Sequence, residues 1–311
     1  TKPYWDGVEC VATCPTEKAY VADNVCVESC PMDKPYVDNA SCVSECPSDK
    51  VVGPDNVCMD VTTWCTQQMQ NVGYSTTDFT VTDETITSNT NMTVANDLDI
   101  SKCNLTVEGK LTVNSGKSLK ALVVLATSSS SQGISNAGTI EAIGDIVGTS
   151  ITGSYGIYNS GTVVTSGDVS GTSIFYGINN QGTGIIRAKS VTGTGDSYGI
   201  FNFGIIEAID DVTGSSSGTS PGLYNKYGLS NSESGTIIAT NVYYCQTISN
   251  IGQIIGAIGC GCPNGTSCTS TVTQCIAPTP VLSGNLTTCA SCETADSTKP
   301  YWNGFACVAE L

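Results

Sequence analysis

The residues of this sequence with the most definite chemistry are its cysteines. There are 17 in 311 residues. The first six form three Cys-x3-Cys steps with a period of 16 residues, and Cys58 closes the array as a half-repeat. Modules this small have no room for an apolar core, so disulfides must hold them together. Each stretch from a Cys-Pro to the next cysteine is predicted to be a hairpin closed by one disulfide, worth roughly 3 kcal/mol for so short a loop. The predicted pairs are Cys14–Cys26, Cys30–Cys42 and Cys46–Cys58.

This pairing leaves Cys10 without a partner. Residues 299–308 repeat residues 2–11 almost residue for residue, which predicts the same kind of hairpin with a disulfide between Cys292 and Cys307. An odd cysteine in a secreted chain suggests a bond to another chain or a truncated sequence. Cys10 is therefore a candidate intermolecular cysteine, and we expect a processed or partial chain. Eight other cysteines can pair among themselves: Cys65, Cys103, Cys245, Cys260, Cys262, Cys268, Cys275 and Cys289.

Five Asn-x-Ser/Thr sequons are candidates for N-linked glycans in a secreted eukaryotic chain. None of them falls between residues 133 and 259, although asparagine, serine and threonine are plentiful there. That distribution favours their use as glycosylation sites. Thr279, between two prolines, is a candidate for an O-linked sugar. The sequon asparagines are Asn39, Asn91, Asn104, Asn264 and Asn285.

Acidic side chains are the candidates for catalysis, since a glycosidase needs two carboxyl groups. Residues 133–259 contain one adjacent acidic pair, Asp210–Asp211, while Glu141 and Glu207 occupy equivalent places in a sequence repeat. Equivalent places indicate a repeated surface residue, and a sequence without histidine offers no histidine-based acid–base chemistry. We expect that the protein is not an enzyme.

No cofactor is expected either. Asp145, Asp168 and Asp211 stand one per repeat, which makes calcium only a weak alternative, because calcium sites draw on closely spaced ligands. Zinc is the alternative for the cysteine array, but residues 1–60 contain no histidine and no Cys-x2-Cys pair. A structural role for these cysteines is favoured.

The acidic residues between 133 and 259 belong to a sequence repeat of 21–23 residues, which must position them. Gly-x-x-Asn-x-Gly segments begin at Gly133, Gly156, Gly177 and Gly199, and a shorter copy begins at Gly222. Short runs of Ile, Val, Thr and Tyr are cut by Gly, Asn and Ser, which is typical of strands and turns. A unit this small cannot bury its apolar face alone, so the period predicts a stacked coil, the right-handed parallel β-helix.

Two columns of side chains follow from that stacking. Identical asparagines about 4.8 Å apart are able to hydrogen-bond as a ladder, and the predicted members are Asn136, Asn159, Asn180, Asn202, Asn225 and Asn250. Tyrosines recur beside the repeat glycines, where they would either bind sugar rings or pack to stiffen the coil. Packing is favoured. These tyrosines are Tyr155, Tyr158, Tyr176, Tyr198 and Tyr224.

The repeat resembles parallel β-helix proteins with an Ile-x-Asn-x-Gly-Thr-Ile type unit, common among microbial surface and secreted proteins. The cysteine array resembles the furin-like and growth-factor-receptor cysteine-rich repeats that are abundant in protist surface proteins. Together the two resemblances imply an extracellular filament or flagellar-hair (mastigoneme-like) glycoprotein. They imply architecture more than activity.

Charge and hydropathy limit the partners. Twelve Lys and Arg stand against 28 Asp and Glu, a formal net charge of −16. Such a chain repels phosphate backbones, so we expect no nucleic-acid partner. No apolar run reaches membrane-spanning length; Leu122–Ala126 is among the longest. Many regularly spaced cysteines indicate an oxidising, extracellular compartment.

Four segments are predicted. Residues 1–60 form the cysteine-rich array, 61–132 irregular early rungs or a cap, 133–259 the β-helix, and 260–311 a second cysteine-rich segment. Within residues 61–132, the apolar run Leu119–Ala126 is expected to be a buried strand or a short cap helix. Cys65 and Cys103 are expected to tie the early rungs together.

We expect an extracellular structural glycoprotein whose partners are copies of itself, joined head to tail as a filament, hair or surface coat. Cysteine-rich modules that simply cap the solenoid are an equally good alternative to that assembly. A cell-surface adhesin or carbohydrate-binding protein is the alternative function, and a polysaccharide-degrading β-helix enzyme is the third.

Overall fold

The computed structural model describes residues 3–217, 222–225, 236–244, 248–250 and 253–260, with four further two-residue strands towards the C-terminal end. These residues fall into two compact units. The first comprises Thr1–Gly73 with Val81–Thr85, and the second comprises Tyr74–Thr80 with Ile86–Leu311. The prediction of an all-β protein with parallel solenoid turns and small disulfide-rich modules is confirmed.

The first unit is an array of short antiparallel hairpins. Two of their tight turns have left-handed backbone at both central residues, Asp23–Asn24 (φ 48° and 64°) and Asn39–Ala40 (φ 47° and 65°). Such turns match the twist of hairpin strands and favour Asn and Asp. The strands are Tyr4–Trp5, Cys10–Val11, Tyr20–Ala22, Val25–Val27, Tyr36–Asp38, Ser41–Val43, Lys50–Val52 and Cys58–Asp60, with 3-10 turns at Thr16–Lys18 and Pro54–Asn56.

Successive hairpins join edge to edge. Trp5 lies opposite Val25 in a parallel pairing, and its N–H donates to the Asn24 carbonyl at 2.8 Å. The next pair repeats this geometry, with Val21 opposite Ser41 and its N–H donating to the Ala40 carbonyl at 2.8 Å. Each hairpin thus offers the next one the same main-chain contact.

Lysines from the following module pair with aspartates in or beside two of the hairpin turns. Lys34 pairs with Asp23, and Lys50 pairs with Asp38. These pairs are partly exposed and contribute little stability individually. The two lysines are 16 residues apart, so equivalent lysines make these pairs, whereas the aspartates lie at neighbouring but different places of their hairpins.

Three disulfides close the hairpin modules. They join Cys14 to Cys26, Cys30 to Cys42 and Cys46 to Cys58, with Cα–Cα distances of 5.5, 5.4 and 5.5 Å. These are the pairs that the cysteine spacing predicts. Cys65 and Cys103 are disulfide-bonded as well. Cys10 is exposed and is a free cysteine.

An α-helix, Val61–Asn71, follows the array. Asp60 caps its N-terminus, since the carboxylate accepts from the Thr63 N–H at 2.7 Å and from the Thr63 hydroxyl at 2.6 Å. Only Cys65 and Met69 of the helix are buried. Two strands follow, Thr80–Thr82 and Thr85–Ser88.

The second unit is a parallel β-solenoid with three strands per turn, which we name columns A, B and C. Column A contains Thr139–Ala142, Thr162–Thr165, Ile185–Ala188 and Ile205–Ala208. Column B contains Ile146–Ser150, Val169–Ser173, Val191–Gly195 and Asp211–Ser216. Column C contains Met92–Val94, Leu111–Val113, Ile134–Asn136, Tyr155–Asn159, Tyr176–Asn180, Tyr198–Asn202, Leu223–Asn225 and Ile248–Asn250, which pair in that order.

In four turns, one longer strand takes the place of the separate column A and column B strands. These longer strands are Leu98–Val107, Ser118–Ser128, Thr236–Tyr244 and Gln253–Cys260. The apolar run from Leu119 therefore lies in a strand and not in a cap helix. Regular stacking already begins at Met92, because Met92, Leu111 and Ile134 are in register.

The core is built from aliphatic residues stacked in register. Column C contributes Ile134, Ile157, Ile178 and Ile200, and columns A and B contribute Ile140, Val163, Ile186, Ile206, Ile146, Val169, Val191 and Val212, all with 0 % exposure. Burying one such side chain stabilises a fold by roughly 1.5–3 kcal/mol. The repeat thus extends one continuous core.

Columns B and C approach closely through facing glycines. A Cβ at Gly148, Gly171 or Gly193 would lie 2.4, 2.2 or 2.1 Å from the carbonyl oxygen of the glycine opposite it in column C. Real Cβ atoms do not come so near to backbone atoms, so only glycine fits there. The repeat glycines are therefore explained by contact between strands.

Two short antiparallel pairs lie towards the C-terminal end. One joins Val281–Leu282 to Cys289–Ala290, and the other joins Tyr301–Trp302 to Cys307–Val308. Cys292 lies outside the described residues, and so does the predicted Cys292–Cys307 bond. Among the described residues no helix is long and apolar enough to span a membrane.

Candidate functional site

The asparagine ladder lies inside the solenoid, at the C-terminal end of each column C strand. The Asn136 Nδ2 donates to Asn159 Oδ1, Asn159 Nδ2 donates to Asn180 Oδ1, and Asn180 Nδ2 donates to Asn202 Oδ1, each at 2.8 Å. These four side chains are 0–1 % exposed. The backbone register continues through Asn225 and Asn250, whose side chains lie outside the described part.

Each ladder amide also bonds the backbone of two turns. The Asn159 Nδ2 lies 3.1 Å from the Gly161 carbonyl oxygen and 3.2 Å from that of Ile185 in the following turn. Amides in a low-dielectric interior polarise one another along such a chain. The ladder therefore fixes the corner between columns C and A in every turn it crosses.

Six half-buried aromatic side chains form what we call the aromatic strip, on the outer side of column C: Tyr155, Tyr158, Tyr176, Tyr198, Phe201 and Phe203. Tyr155, Tyr176 and Tyr198 are in register on successive strands, with ring centroids 5.2 and 5.3 Å apart. The rings of Tyr176 and Tyr198 are nearly parallel, at 12°.

Ring-to-ring contact occupies the faces of this strip. Phe201 packs edge-on against Tyr176 and Tyr198 at 5.3 and 5.0 Å, and Tyr158 lies 5.3 Å from Tyr155. A sugar stacks on an exposed ring face, whereas these rings cover one another and present their edges. The geometry supports packing over sugar binding. Burial, and then the neighbouring tyrosines, raise the pKa of Tyr176.

The candidate catalytic glutamates belong to one column of alternating charge. The order across successive turns is Lys120, Glu141, Val164, Arg187 and Glu207. Lys120 Nζ lies 3.0 Å from Glu141 Oε2, and this hydrogen bond raises the pKa of Lys120. Arg187 pairs with Glu207. Each carboxylate therefore has its own cation.

The spacing of these glutamates does not suit glycoside hydrolysis. Three strand steps separate Glu141 from Glu207, which is roughly 14 Å at the usual strand spacing, whereas catalytic pairs lie roughly 5–9.5 Å apart. A shallow depression of about 250 Å³ beside Glu207 is lined by Thr165, Arg187, Ala188, Glu207, Ala208 and Ile209. Its two charged residues pair with each other. That the protein is not an enzyme stays a prediction.

The aspartates considered for calcium make hydrogen bonds at the entry to column B. Asp145 Oδ1 accepts from the Asp168 N–H at 2.9 Å, and Asp211 Oδ1 accepts from Asn241 Nδ2 at 2.9 Å. Asp168 Oδ1 is buried without a hydrogen-bond partner. Within the described ranges, no three His, Cys, Asp or Glu side chains form a group that could hold a metal ion.

Three sequon asparagines lie in described segments. Asn39 is exposed in a hairpin turn, and Asn91 is exposed with its Oδ1 accepting the Lys110 N–H at 2.8 Å. Asn104 is half-buried in the strand Leu98–Val107. Asn264, Asn285 and Thr279 lie outside the described residues. Glycosylation of all these sites stays a prediction.

No family model, no curated protein and no solved structure matches this chain. A disulfide-rich β-solenoid is compatible with an extracellular structural or surface protein.

Proposed function

We propose that this protein is an extracellular structural glycoprotein, the subunit of a filament, hair or surface coat in which copies join head to tail. One observation carries the proposal. The hairpin near the C-terminal end pairs Tyr301 with Val308 and Trp302 with Cys307, and the first hairpin of the array pairs Tyr4 with Val11 and Trp5 with Cys10. Similar sequence thus forms the same hairpin twice.

The array supplies a template for joining the two hairpins. In the six-stranded sheet of the array, the strand Cys10–Val11 is at the edge. In that sheet, the second strand of each later hairpin pairs in parallel with the first strand of the hairpin before it. Val25 pairs with Trp5 in this way. In the proposed junction, Trp302 of another copy donates its N–H to the Val8 carbonyl, just as Trp5 donates to Asn24.

The other features suit a load-bearing role. The stacked core ties each turn to the next, the asparagine ladder and the aromatic strip reinforce the regular turns, and disulfides close the hairpin modules. Such crosslinks resist unfolding more than they serve chemistry. The proposal includes no catalytic step, in keeping with the charge pairing of Glu141 and Glu207.

Electron microscopy with reducing and non-reducing gels tests the proposal. We expect filaments with a regular axial repeat. Because one odd cysteine per copy links copies only in pairs, exposed Cys10 should give a disulfide-linked dimer band that disappears under reductant. Cys10→Ser removes that band. Dispersed monomers would contradict head-to-tail assembly.

A pair of variants tests the junction itself. Trp302→Pro removes the N–H that the incoming strand must donate, whereas Trp302→Phe keeps it. We expect Pro to abolish filaments and Phe to keep them. Filaments of unchanged length with Trp302→Pro would mean that the copies join elsewhere.

A further inference from the structure

We propose that the aromatic strip is a site of oxidative cross-linking, at which Tyr176 couples to Tyr155 or Tyr198 as dityrosine. The three phenols are in register on successive column C strands. Their ring centroids lie 5.2 and 5.3 Å apart, so two radicals formed there are already neighbours. The inference goes beyond the filament proposal and does not depend on it.

The packing directs the coupling along the solenoid axis. Tyr176 is in ring contact with a tyrosine on each side, and the third neighbour of its ring, Phe201, has no phenol to oxidise. Tyr155 has a second tyrosine, Tyr158, at 5.3 Å in its own strand. Tyr176 is therefore the central member of the coupling group.

The rings are reachable as well as close. All three are half-buried and face outwards, while the column C isoleucines between them face the core. A small oxidant can therefore contact the phenol edge directly. A larger oxidant bound at the surface can take an electron from the same edge. The stack holds the backbones at the strand spacing, so coupling requires only side-chain rotation.

The chemistry balances with a peroxide-driven one-electron oxidant, such as a haem peroxidase, as co-reactant. Each phenol loses one electron and one proton. The two radicals form one C–C bond between ring carbons ortho to the hydroxyls, and the two ortho hydrogens move to the phenol oxygens. Two tyrosines and one hydrogen peroxide thereby give one dityrosine and two waters, and the chain loses two hydrogen atoms.

Peptide mapping gives a direct test on the full chain. A protease that cleaves before aspartate separates the three phenols, because Asp145, Asp168 and Asp196 begin peptides 145–167, 168–195 and 196–209. After treatment with peroxidase and hydrogen peroxide at low protein concentration, we expect two joined pairs. Peptide 168–195 is linked to 145–167 or to 196–209, each with the summed mass less two hydrogen atoms.

Matched variants make the result specific. Tyr176→Phe keeps the ring stack and removes the phenol, so we expect it to eliminate both joined pairs and to lower the dityrosine fluorescence to what Tyr155 and Tyr158 give within peptide 145–167. Tyr243→Phe, on the long strand Thr236–Tyr244 that belongs to columns A and B, should leave both pairs. An unchanged thermal unfolding midpoint in Tyr176→Phe shows that the fold is kept.

Two outcomes would overturn the inference. One is dityrosine formation that Tyr176→Phe lowers no more than Tyr243→Phe does. The other is coupling that occurs only between chains and disappears on dilution. Both can be read whether or not the protein forms filaments, so they are distinct from a failure of the assembly proposal.

Discussion

Asn159 shows how much one polar side chain does in this solenoid. Its amide accepts from Asn136 in the preceding turn and donates to Asn180 in the following one, at 2.8 Å in both cases. With 0 % exposure it has no water to replace those partners. An amide in such a place contributes less by its own bonds than by satisfying the groups around it.

The ladder predicts a difference between two asparagines. Asn159→Ala leaves groups unsatisfied in the turns before and after it, and should lower the free energy of unfolding by about 2–4 kcal/mol. Asn136→Ala should cost less, because the residue before it in register is Val113, which offers no amide. Chemical denaturation of both variants tests this. Equal losses would mean that the second ladder bond of Asn159, to Asn180, adds no stability.

Tyr74 predicts a loss of stability at alkaline pH. Burial, and then Asp78, raise the pKa of Tyr74 to about 12, and its hydroxyl donates to the Thr93 carbonyl at 2.7 Å. An unfolded tyrosine ionises near pH ~10. The folded state therefore keeps a proton that the unfolded state loses, so the Tyr74 contribution is complete below that pH and declines as pH rises towards 12.

Denaturation of wild type and Tyr74→Phe between pH 8 and 11 measures that decline. We expect the difference in unfolding free energy between the two proteins to shrink as pH rises above about 10. Phenylalanine cannot ionise, so the variant lacks this contribution to the change of unfolding free energy with pH. A difference that stays constant across the range would show that the Tyr74 phenol titrates normally.

At the scale of one strand, the need for glycine differs between a position inside a strand and one in a turn. A Cβ at Gly171 would lie 2.2 Å from the Gly177 carbonyl oxygen, whereas a Cβ at Gly182 has nothing within 4 Å. Gly171→Ala must push columns B and C apart, and we expect a loss of about 2 kcal/mol or more, as for other overpacked core sites.

Gly182→Ala is the matched control. It adds the same methyl group in open space, and we expect a change within about 0.5 kcal/mol, as for ordinary surface substitutions. Thermal unfolding of the two variants compares them directly. A similar loss in both would mean that backbone freedom, rather than close approach, is what these glycines provide.

The strands of the regular turns could be predicted because their landmarks are local. The Gly-x-x-Asn period marks each column C strand, and a 12-residue separation marks each hairpin disulfide. The earlier turns were predicted only as irregular rungs or a cap, for a physical reason. Val94 and Val113 occupy the places that Asn136 holds later, so apolar packing replaces the ladder and the landmark is lost.

The helix Val61–Asn71 was not predicted either. It buries only two side chains, Cys65 and Met69, so it has little of the apolar periodicity that identifies a helix from sequence. Its one local signal is the Asp60 cap with Thr63 three residues later. The tyrosine contacts were foreseen as packing, but their ring geometry depends on strand register, which only the structure gives.

For the whole molecule, charge sets a prediction about assembly. A formal net charge of −16 makes copies repel one another, and the repulsion is screened at about 8 Å in 0.15 M salt. If copies join through main-chain pairing, as proposed, filaments should lengthen as sodium chloride rises from low ionic strength. Sedimentation and electron microscopy measure this.

A neutral solute at equal osmolarity is the control for that experiment, since it changes water activity without screening charge. We expect it to leave filament length unchanged. Filaments that dissociate as salt rises would indicate that attractive ion pairs across the junction, rather than strand pairing, hold the copies together.

The in-register stacking of the solenoid bears on how such a gene can change. The step from Ile134 to Ile157 places the same residue types in the same columns as the step from Ile157 to Ile178. A duplication or deletion of one whole turn therefore leaves the inward columns and most of the ladder intact, because each turn contacts only its neighbours. Unequal recombination can lengthen or shorten the protein in such increments, so its length is a trait that selection can adjust without redesigning the core.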